Sequence, residues 1–261
     1  MRAPLLLMVI ATTVLAMPVA SHSTIIAVEF DGDVYSIDEA TGGCGFVGNV
    51  DFIQSNSMAQ NAAGTLYSTG DSNSALITID PSSGDGTQVA PLPGHSIRAL
   101  AFSPADVLYA AVGCSCDDPN QLYTVNVSTG NMTLVGNIPF LGVQAMTFSP
   151  GGVLYGFDVG LSGAGLIVID PSTGAAVDVN SSVGGDGTQV QTIAFSPNGG
   201  LYGARDSLYA IDVSTGVLSF IGNGPYSDIR GMEFAVVPEP GTGLLVVAGL
   251  LGLAGWRRAR A

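Results

Sequence analysis

The chain has 261 residues and a formal net charge of −14, and it contains no lysine. Nucleic acids and anionic membranes attract basic surfaces, so this composition argues against either as a partner. Between the two ends only Arg98, Arg205 and Arg230 are basic, and over the whole chain Asp outnumbers Glu by seventeen to four. Because Asp is a turn residue and Glu favours helices, this bias predicts a turn-rich domain.

The first 23 residues predict a secretory signal peptide. Arg2 precedes an apolar run over residues 5–17, and small residues follow over 19–23. A charged start, an apolar middle and a small-residue cleavage zone are typical of an export signal. A transmembrane anchor is the alternative, but the run is shorter than the roughly 20 residues that a span needs.

One nine-residue segment recurs through the middle of the chain and organises it. Its final glycine stands at 42, 84, 130, 174 and 216, so consecutive copies are 42 to 46 residues apart. A fixed period in this range predicts a repeat architecture. The five copies are residues 34–42, 76–84, 122–130, 166–174 and 208–216.

Each period contains four short strand-like pieces. In the last period they are residues 200–204, 208–212, 217–221 and 229–234. The Asp-x-Ser-Thr-Gly sequence that ends at Gly216 predicts a hairpin turn, because Asp212 can bond to its own backbone and glycine accepts positive φ. The second and third pieces are therefore predicted to be antiparallel.

The fourth piece ends in Phe-Ser-Pro in three periods, at residues 97–104, 143–150 and 190–197, and a turn and a Leu-Tyr strand follow. This order resembles β-propeller repeats of the YVTN and WD kinds. The resemblance covers almost the whole domain and implies an architecture but no activity. The first copy departs from it, with residues 57–61 in place of Phe-Ser-Pro.

The positions within the repeat at which the domain begins and ends predict how the repeats close into a ring. Residues 25–30 align with the Leu-Tyr strand and lack a preceding strand, whereas residues 229–234 are the strand that is missing. Closure in this way removes exposed sheet edges. We therefore predict an all-β fold over residues 24–236, a five-bladed propeller of four-stranded blades closed by the N- and C-terminal strands. A mixed or incomplete ring is the alternative.

Residues 237–261 resemble the PEP-CTERM sorting signal of Gram-negative bacteria. They contain Pro238, Glu239 and Pro240, then an uncharged apolar stretch over 243–256 and an arginine cluster at 257–260. The resemblance implies recognition by an exosortase-type sorting enzyme, removal of the tail, and delivery to the cell envelope or outside. We expect the apolar stretch to form a short helix that holds the chain in the membrane before processing, since arginines beyond it fit the positive-inside rule. A simple tail anchor is the alternative.

Catalytic residue sets are scarce. His22 lies in the cleavage zone and His95 stands alone in a loop, and no nucleophile elbow or triad partners occur. We therefore predict a protein that is not an enzyme. The alternative is a propeller enzyme of the lactonase or lyase kind, with a metal or acidic site at the channel mouth.

Aligning the fourth strands places five polar residues at one equivalent position. In propellers this strand lines the central channel, and its start faces one mouth. We predict a ligand-binding ring there, suited to hydroxyls or a carboxylate, although these side chains could instead pair with strand-end carbonyls and nearby Asp. The residues are Asn56, Arg98, Gln144, Gln191 and Arg230.

Metal and cofactor signals are weak, and we predict no cofactor and no metal site. Acidic loops at 31–33, 84–87, 117–118 and 185–188 leave structural calcium as an alternative, but none is a complete calcium loop. Cys44, Cys114 and Cys116 are predicted to form a disulfide or to remain thiols rather than to bind a metal.

Together these features predict an exported binding or structural module at the cell envelope or in the extracellular matrix. Exopolysaccharide or another surface protein is the expected partner, and nucleic acid is not.

Overall fold

The computed structural model describes residues 23–113, 120–160, 163–184 and 190–236. Ser23–Val237 form one compact unit. The predicted signal peptide and C-terminal apolar helix lie outside the described residues. Within the described part of the chain, no helix is long and apolar enough to cross a membrane.

The described residues form five antiparallel sheets of four strands each. The first sheet has the order β20 (Ile229–Val236), β1 (Ser23–Glu29), β2 (Asp33–Ile37) and β3 (Cys44–Asn49). The second contains β4 (Met58–Gln60), β5 (Leu66–Gly70), β6 (Ala75–Ile79) and β7 (Gly86–Pro91). The third contains β8 (Ile97–Phe102), β9 (Leu108–Val112), β10 (Gln121–Val125) and β11 (Met132–Asn137).

The last two sheets repeat this pattern. The fourth contains β12 (Val143–Phe148), β13 (Leu154–Asp158), β14 (Gly165–Ile169) and β15 (Ala176–Asp178). The fifth contains β16 (Thr192–Phe195), β17 (Leu201–Ala204), β18 (Leu208–Ile211) and β19 (Leu218–Gly222). In both, as in the others, strands that follow one another in the sheet are antiparallel neighbours.

The five sheets are the blades of a closed propeller. The innermost strands β20, β4, β8, β12 and β16 contact one another in a cycle, each touching the next and the last touching the first. β20 pairs with β1 from Ser23 opposite Val236 to Glu29 opposite Ile229. The two ends of the domain therefore complete one blade, and the predicted five-bladed ring closed by terminal strands is confirmed.

The repeated Leu-Tyr and Phe-Ser-Pro sequences meet between blades. The tyrosine of one blade packs against the phenylalanine of the next, with ring centroids 5.2 to 5.6 Å apart. Only the junction of the first and second blades differs, because Ile26 and Gln60 occupy these positions. The pairs are Tyr67–Phe102, Tyr109–Phe148, Tyr155–Phe195 and Tyr202–Phe234.

The Asp-x-Ser-Thr-Gly turns join blades as well as strands. Asp212 accepts bonds from the amides of Ser214 (2.8 Å) and Thr215 (3.1 Å), as the sequence predicts. The hydrogen bond from the Ser214 side chain is the main cause that lowers the pKa of Asp212. At the equivalent turn of the third blade the glycine also lies against the preceding blade: a Cβ on Gly130 would be 1.7 Å from the Pro91 carbonyl oxygen, whereas one on Gly216 would meet nothing closer than 3.4 Å. This second requirement for glycine could not be read from the repeat.

Candidate functional site

The predicted ring residues and several carboxylates lie at one face of the propeller. Glu29 pairs with Ile229, so the β1–β2 hairpin lies at the end where β20 begins. We call this end of the ring, where the innermost strands begin, the mouth. The loops that enter the innermost strands, including residues 223–228, lie on the same side.

The predicted ring residues lie at the start of the innermost strands, and three of them occupy β-bulges. The pairing register skips Arg230 in β20, Arg98 in β8 and Gln144 in β12. Asn56 and Gln191 lie just before β4 and β16. A bulge redirects the side chain of its extra residue, so the equivalence seen in the sequence corresponds to a shared backbone irregularity at the mouth.

Arg230 is held by its neighbours. Its Nε and Nη2 donate to the two carboxylate oxygens of Asp228 at 2.9 Å each, and its guanidinium lies 5.0 Å from the centre of the Phe30 ring. Arg205 Nε also donates to Asp228, at 3.3 Å. This bidentate, partly buried arrangement fixes the guanidinium and compensates its charge.

The other ring members differ in what they offer. Arg98 Nε donates to the Gly113 carbonyl oxygen at 3.1 Å. Asn56 and Gln144 are buried, with 8% and 9% of their surface exposed. Gln191 Oε1 is buried and has no hydrogen-bond partner among the described residues. A buried acceptor without a partner is costly, which makes Gln191 the ring member most suited to meet a donor group of a ligand.

Three carboxylates form a cluster at the mouth, at the end of β1 and in the hairpin that follows it. Oxygens of Glu29, Asp31 and Asp33 lie within 4.8 Å of one another. Glu29 is buried and accepts a bond from the Ser227 amide, and burial is the first cause that raises its pKa. Carboxylates at this separation could hold a cation. The sequence pointed to Asp31 and Asp33 but missed Glu29, which ends a strand.

The remaining acidic loops do not join this cluster. Asp85 accepts a bond from the Ser83 side chain at 2.7 Å within its own exposed turn. The loops at 117–118 and 185–188 lie outside the described residues, as do Cys114 and Cys116. Cys44 begins β3 and has no disulfide partner among the described residues, and burial raises the pKa of its thiol.

Two further carboxyl groups escaped the sequence analysis. Asp158 is fully buried and accepts bonds from the amides of Gly142 (2.8 Å), Gly160 (3.4 Å) and Ala164 (3.0 Å), so it ties two loops together. Glu233 lies in β20 next to the second blade, and desolvation raises its pKa to about 8. Both occur within strands, where no turn or motif pointed to them.

His95 lies in the loop between the second and third blades. It is exposed, and its ring stacks on Tyr123 with centroids 5.6 Å apart and an interplanar angle of 28°. It lines a cavity that we consider below.

The C-terminus matches a known sorting signal. Residues 236–259 match the PEP-CTERM protein-sorting motif. Such a motif marks a chain for export, for processing by an exosortase-type enzyme and for sorting to the cell surface. The predicted sorting signal is therefore confirmed, and the sequence matches no curated protein significantly.

Solved structures support the fold. A structure from work on the de novo evolutionary emergence of a symmetrical protein is similar, with 19% identity and a TM-score of 0.56 over 84% of this chain and 100% of that one. Regucalcin from Agrobacterium tumefaciens, described as a calcium-binding protein, has 17% identity and a TM-score of 0.50 over 78% and 71% of the two chains. A nidogen/laminin complex contains a chain with 15% identity and a TM-score of 0.50, over 81% and 84%. At these identities the similarity shows the propeller fold alone.

Proposed function

We propose that the chain is an exported β-propeller that binds a hydroxyl-rich partner, an extracellular polysaccharide, at its mouth and catalyses no reaction. The observation that carries this proposal is the set of five polar side chains at equivalent positions on the mouth. They are held at bulges or just before strand starts, and all five are buried or half-buried. Preorganised amides and guanidinium groups suit the recognition of sugar hydroxyls.

Charge favours hydroxyls over a carboxylate as the recognised group. Arg230 and Arg205 already donate to Asp228, and the cluster of Glu29, Asp31 and Asp33 lies at the same mouth. An anionic sugar would meet uncompensated carboxylates there, whereas a neutral sugar would not. Of the two ligand groups expected from the sequence, the geometry therefore supports the neutral one.

The arrangement of acids favours binding over catalysis. The carboxylates that converge come from one end of a single blade, whereas a metal-dependent propeller enzyme needs ligands from several blades around the channel. Asp228 also lies at the mouth, just before β20 of the same blade, and Asp158 is buried at the end of β13 in the fourth blade, but the oxygens of both already accept hydrogen bonds from the protein. These acids are therefore engaged in holding loops and arginines in place.

A glycan array with the purified protein tests the proposal, in the presence and absence of calcium. We expect binding to neutral polysaccharides that weakens about tenfold in a Gln191→Ala variant, because a hydroxyl donor of the ligand would lose the Gln191 Oε1 acceptor. Gln88→Ala is the matched control, since Gln88 is exposed on the outer strand β7. Absence of binding under both conditions would refute the proposal.

A second assay separates the two classes of function. Any bound oligosaccharide, and a panel of lactones, is incubated with the protein and examined for products by mass spectrometry. Unchanged ligand supports the binding module. Turnover that is lost in Glu29→Gln would instead support an acidic catalytic site at the mouth.

A further inference from the structure

A cavity of about 450 Å³ lies between the second and third blades, and none of its lining residues belongs to the ring. This size is typical of sites for small molecules. Its lining is uncharged apart from the ionisable His95 and combines apolar side chains with a few polar groups. The residues are Pro91, Leu92, Pro93, His95, Thr129, Gly130, Asn131 and Met132.

The preceding junction, between the first and second blades, can be compared with this one. One backbone hydrogen bond in each junction aligns the two. The amide of Asp71 donates to the Ile53 carbonyl, and at the next junction the amide of Gly113 donates to the Ser96 carbonyl. The residues just before these two acceptors are Phe52 and His95, which are therefore equivalent.

The ring of Phe52 fills its junction. A Cβ on Gly86 would lie 3.0 Å from the Phe52 ring, so this ring packs directly on the start of β7. Gly86 pairs with Ile79, as Met132 pairs with Val125 in the third blade, so Met132 occupies the equivalent position. Met132 lines the cavity. The cavity thus shares a wall position with the space that the Phe52 ring fills at the first junction.

His95 packs less deeply than the aromatic residues of the other loops. It stacks on Tyr123, as Tyr226 packs on the equivalent Tyr35 at the junction of the fifth and first blades, but Tyr226 is buried whereas His95 remains exposed at one side of the cavity. Loops at two other junctions also bring an aromatic ring against the core, through Phe140 and Tyr226. Among the loop residues of these four junctions, only His95 has an exposed ring.

We propose that this cavity binds a small uncharged aromatic ring supplied by a ligand. The Met132 thioether and the imidazole of His95 are favourable partners for such a ring, and the two prolines add apolar surface. Asn131 and Thr129 can bond to a hydroxyl or N–H group at its edge. The proposal is independent of the mouth and of sugar binding there.

Titration of the purified protein by NMR tests the proposal, with p-cresol and indole as probes. We expect saturable shifts of the amides around residues 91–95 and 129–132, with dissociation constants in the millimolar range that is typical of fragments this small. Cyclohexanol, which is similar in size but not aromatic, should bind at least fivefold more weakly. Equal binding of cyclohexanol, or preferential binding of methyl glucoside, would overturn the aromatic assignment.

A substitution that fills the cavity tests whether the probe binds there. Thr129→Trp places a ring in the cavity from an exposed turn position and should weaken p-cresol binding at least tenfold. Thr173→Trp is the matched control, because Thr173 precedes the turn glycine of the fourth blade, and each threonine accepts a bond from the amide two residues on. We expect it to change binding less than twofold. Unchanged binding in Thr129→Trp would refute the proposed site.

Discussion

The Glu233 carboxyl group in the innermost strand β20 lies beside the backbone amide of Gln60 in β4, across the junction of the first and second blades, and this amide partly offsets the effect of burial on its pKa. At this junction the Tyr–Phe pair of the other junctions is absent, and a carboxyl group lies there. Glu233 retains some accessible surface, yet desolvation raises its pKa from 4.5 to about 8.

This shift predicts the dependence of stability on pH. Between pH 4.5 and about 8 the folded protein binds the Glu233 proton more tightly than the unfolded chain does, so stability falls as pH rises. Glu233→Gln should remove this dependence and stabilise the protein at pH 9 by about 1–3 kcal/mol. Urea unfolding at pH 5, 7 and 9 measures the effect. Glu39→Gln, at an exposed position, is the control, and an equal gain there would contradict the prediction.

Asp228 is expected to stabilise the mouth. It accepts two bonds from Arg230 and one from Arg205, and its backbone carbonyl accepts from Phe30. Asp228→Asn should cost about 1–2 kcal/mol, because the partly buried Arg230 guanidinium loses its bidentate carboxylate partner. Thermal unfolding provides the measurement.

The neighbouring acid supplies the control for this prediction. Asp206 is exposed, lies 3.7 Å from Arg205 and accepts a bond from the Asp228 amide. Asp206→Asn keeps an acceptor oxygen and should cost less than about 0.5 kcal/mol, as exposed pairs do. Equal losses in the two variants would show that Asp228 has no special role.

Alanine variants at Gly130 and Gly64 distinguish the cost of backbone strain from the cost of steric overlap between blades. Both have positive φ, at 73° and 84°, but a Cβ on Gly64 would meet nothing within 4 Å, whereas one on Gly130 would overlap the Pro91 carbonyl oxygen. Gly64→Ala should cost about 1 kcal/mol from the left-handed backbone alone. Gly130→Ala should cost about 3 kcal/mol or more, because the third blade must move away from the second. Similar losses in denaturant unfolding would contradict this close approach.

The sorting motif predicts how the exported chain is processed. Replacing Pro238, Glu239 and Pro240 with alanine should leave the apolar segment attached, so the protein accumulates in the membrane fraction. This outcome is expected because arginines beyond an apolar segment favour the cytoplasmic side of a membrane. Mass spectrometry of the C-terminus and cell fractionation measure the outcome in the native host. Glu39→Ala in the propeller should be processed normally, and identical processing of both variants would exclude recognition through this motif.

Much of the fold could be predicted because the repeat is local. The turn after Asp212 and the alternation in the Leu-Tyr strands depend on residues close in sequence, and the phase of residues 25–30 and 229–234 indicated how the ring closes. The ring position of Arg98, Gln144 and Arg230 also follows from the repeat, because equivalent residues in equivalent strands occupy equivalent places.

Features that belong to a single blade or junction could not be predicted in this way. The Glu29 carboxylate lies close to those of Asp31 and Asp33, and the Glu233 carboxyl group lies beside the Gln60 amide. A cavity lies beside Met132, at the junction after the one that Phe52 fills.

The sequence by itself determined the number of blades, their strand order and the export signal, because these depend on periodicity and on short contiguous motifs. Only the tertiary structure decided which carboxylates lie close together, which arginines pair with a carboxylate and at which junction a cavity remains. Those properties depend on bulges, loop paths and contacts between residues far apart in the chain, and a small shift in any of them changes which side chains meet.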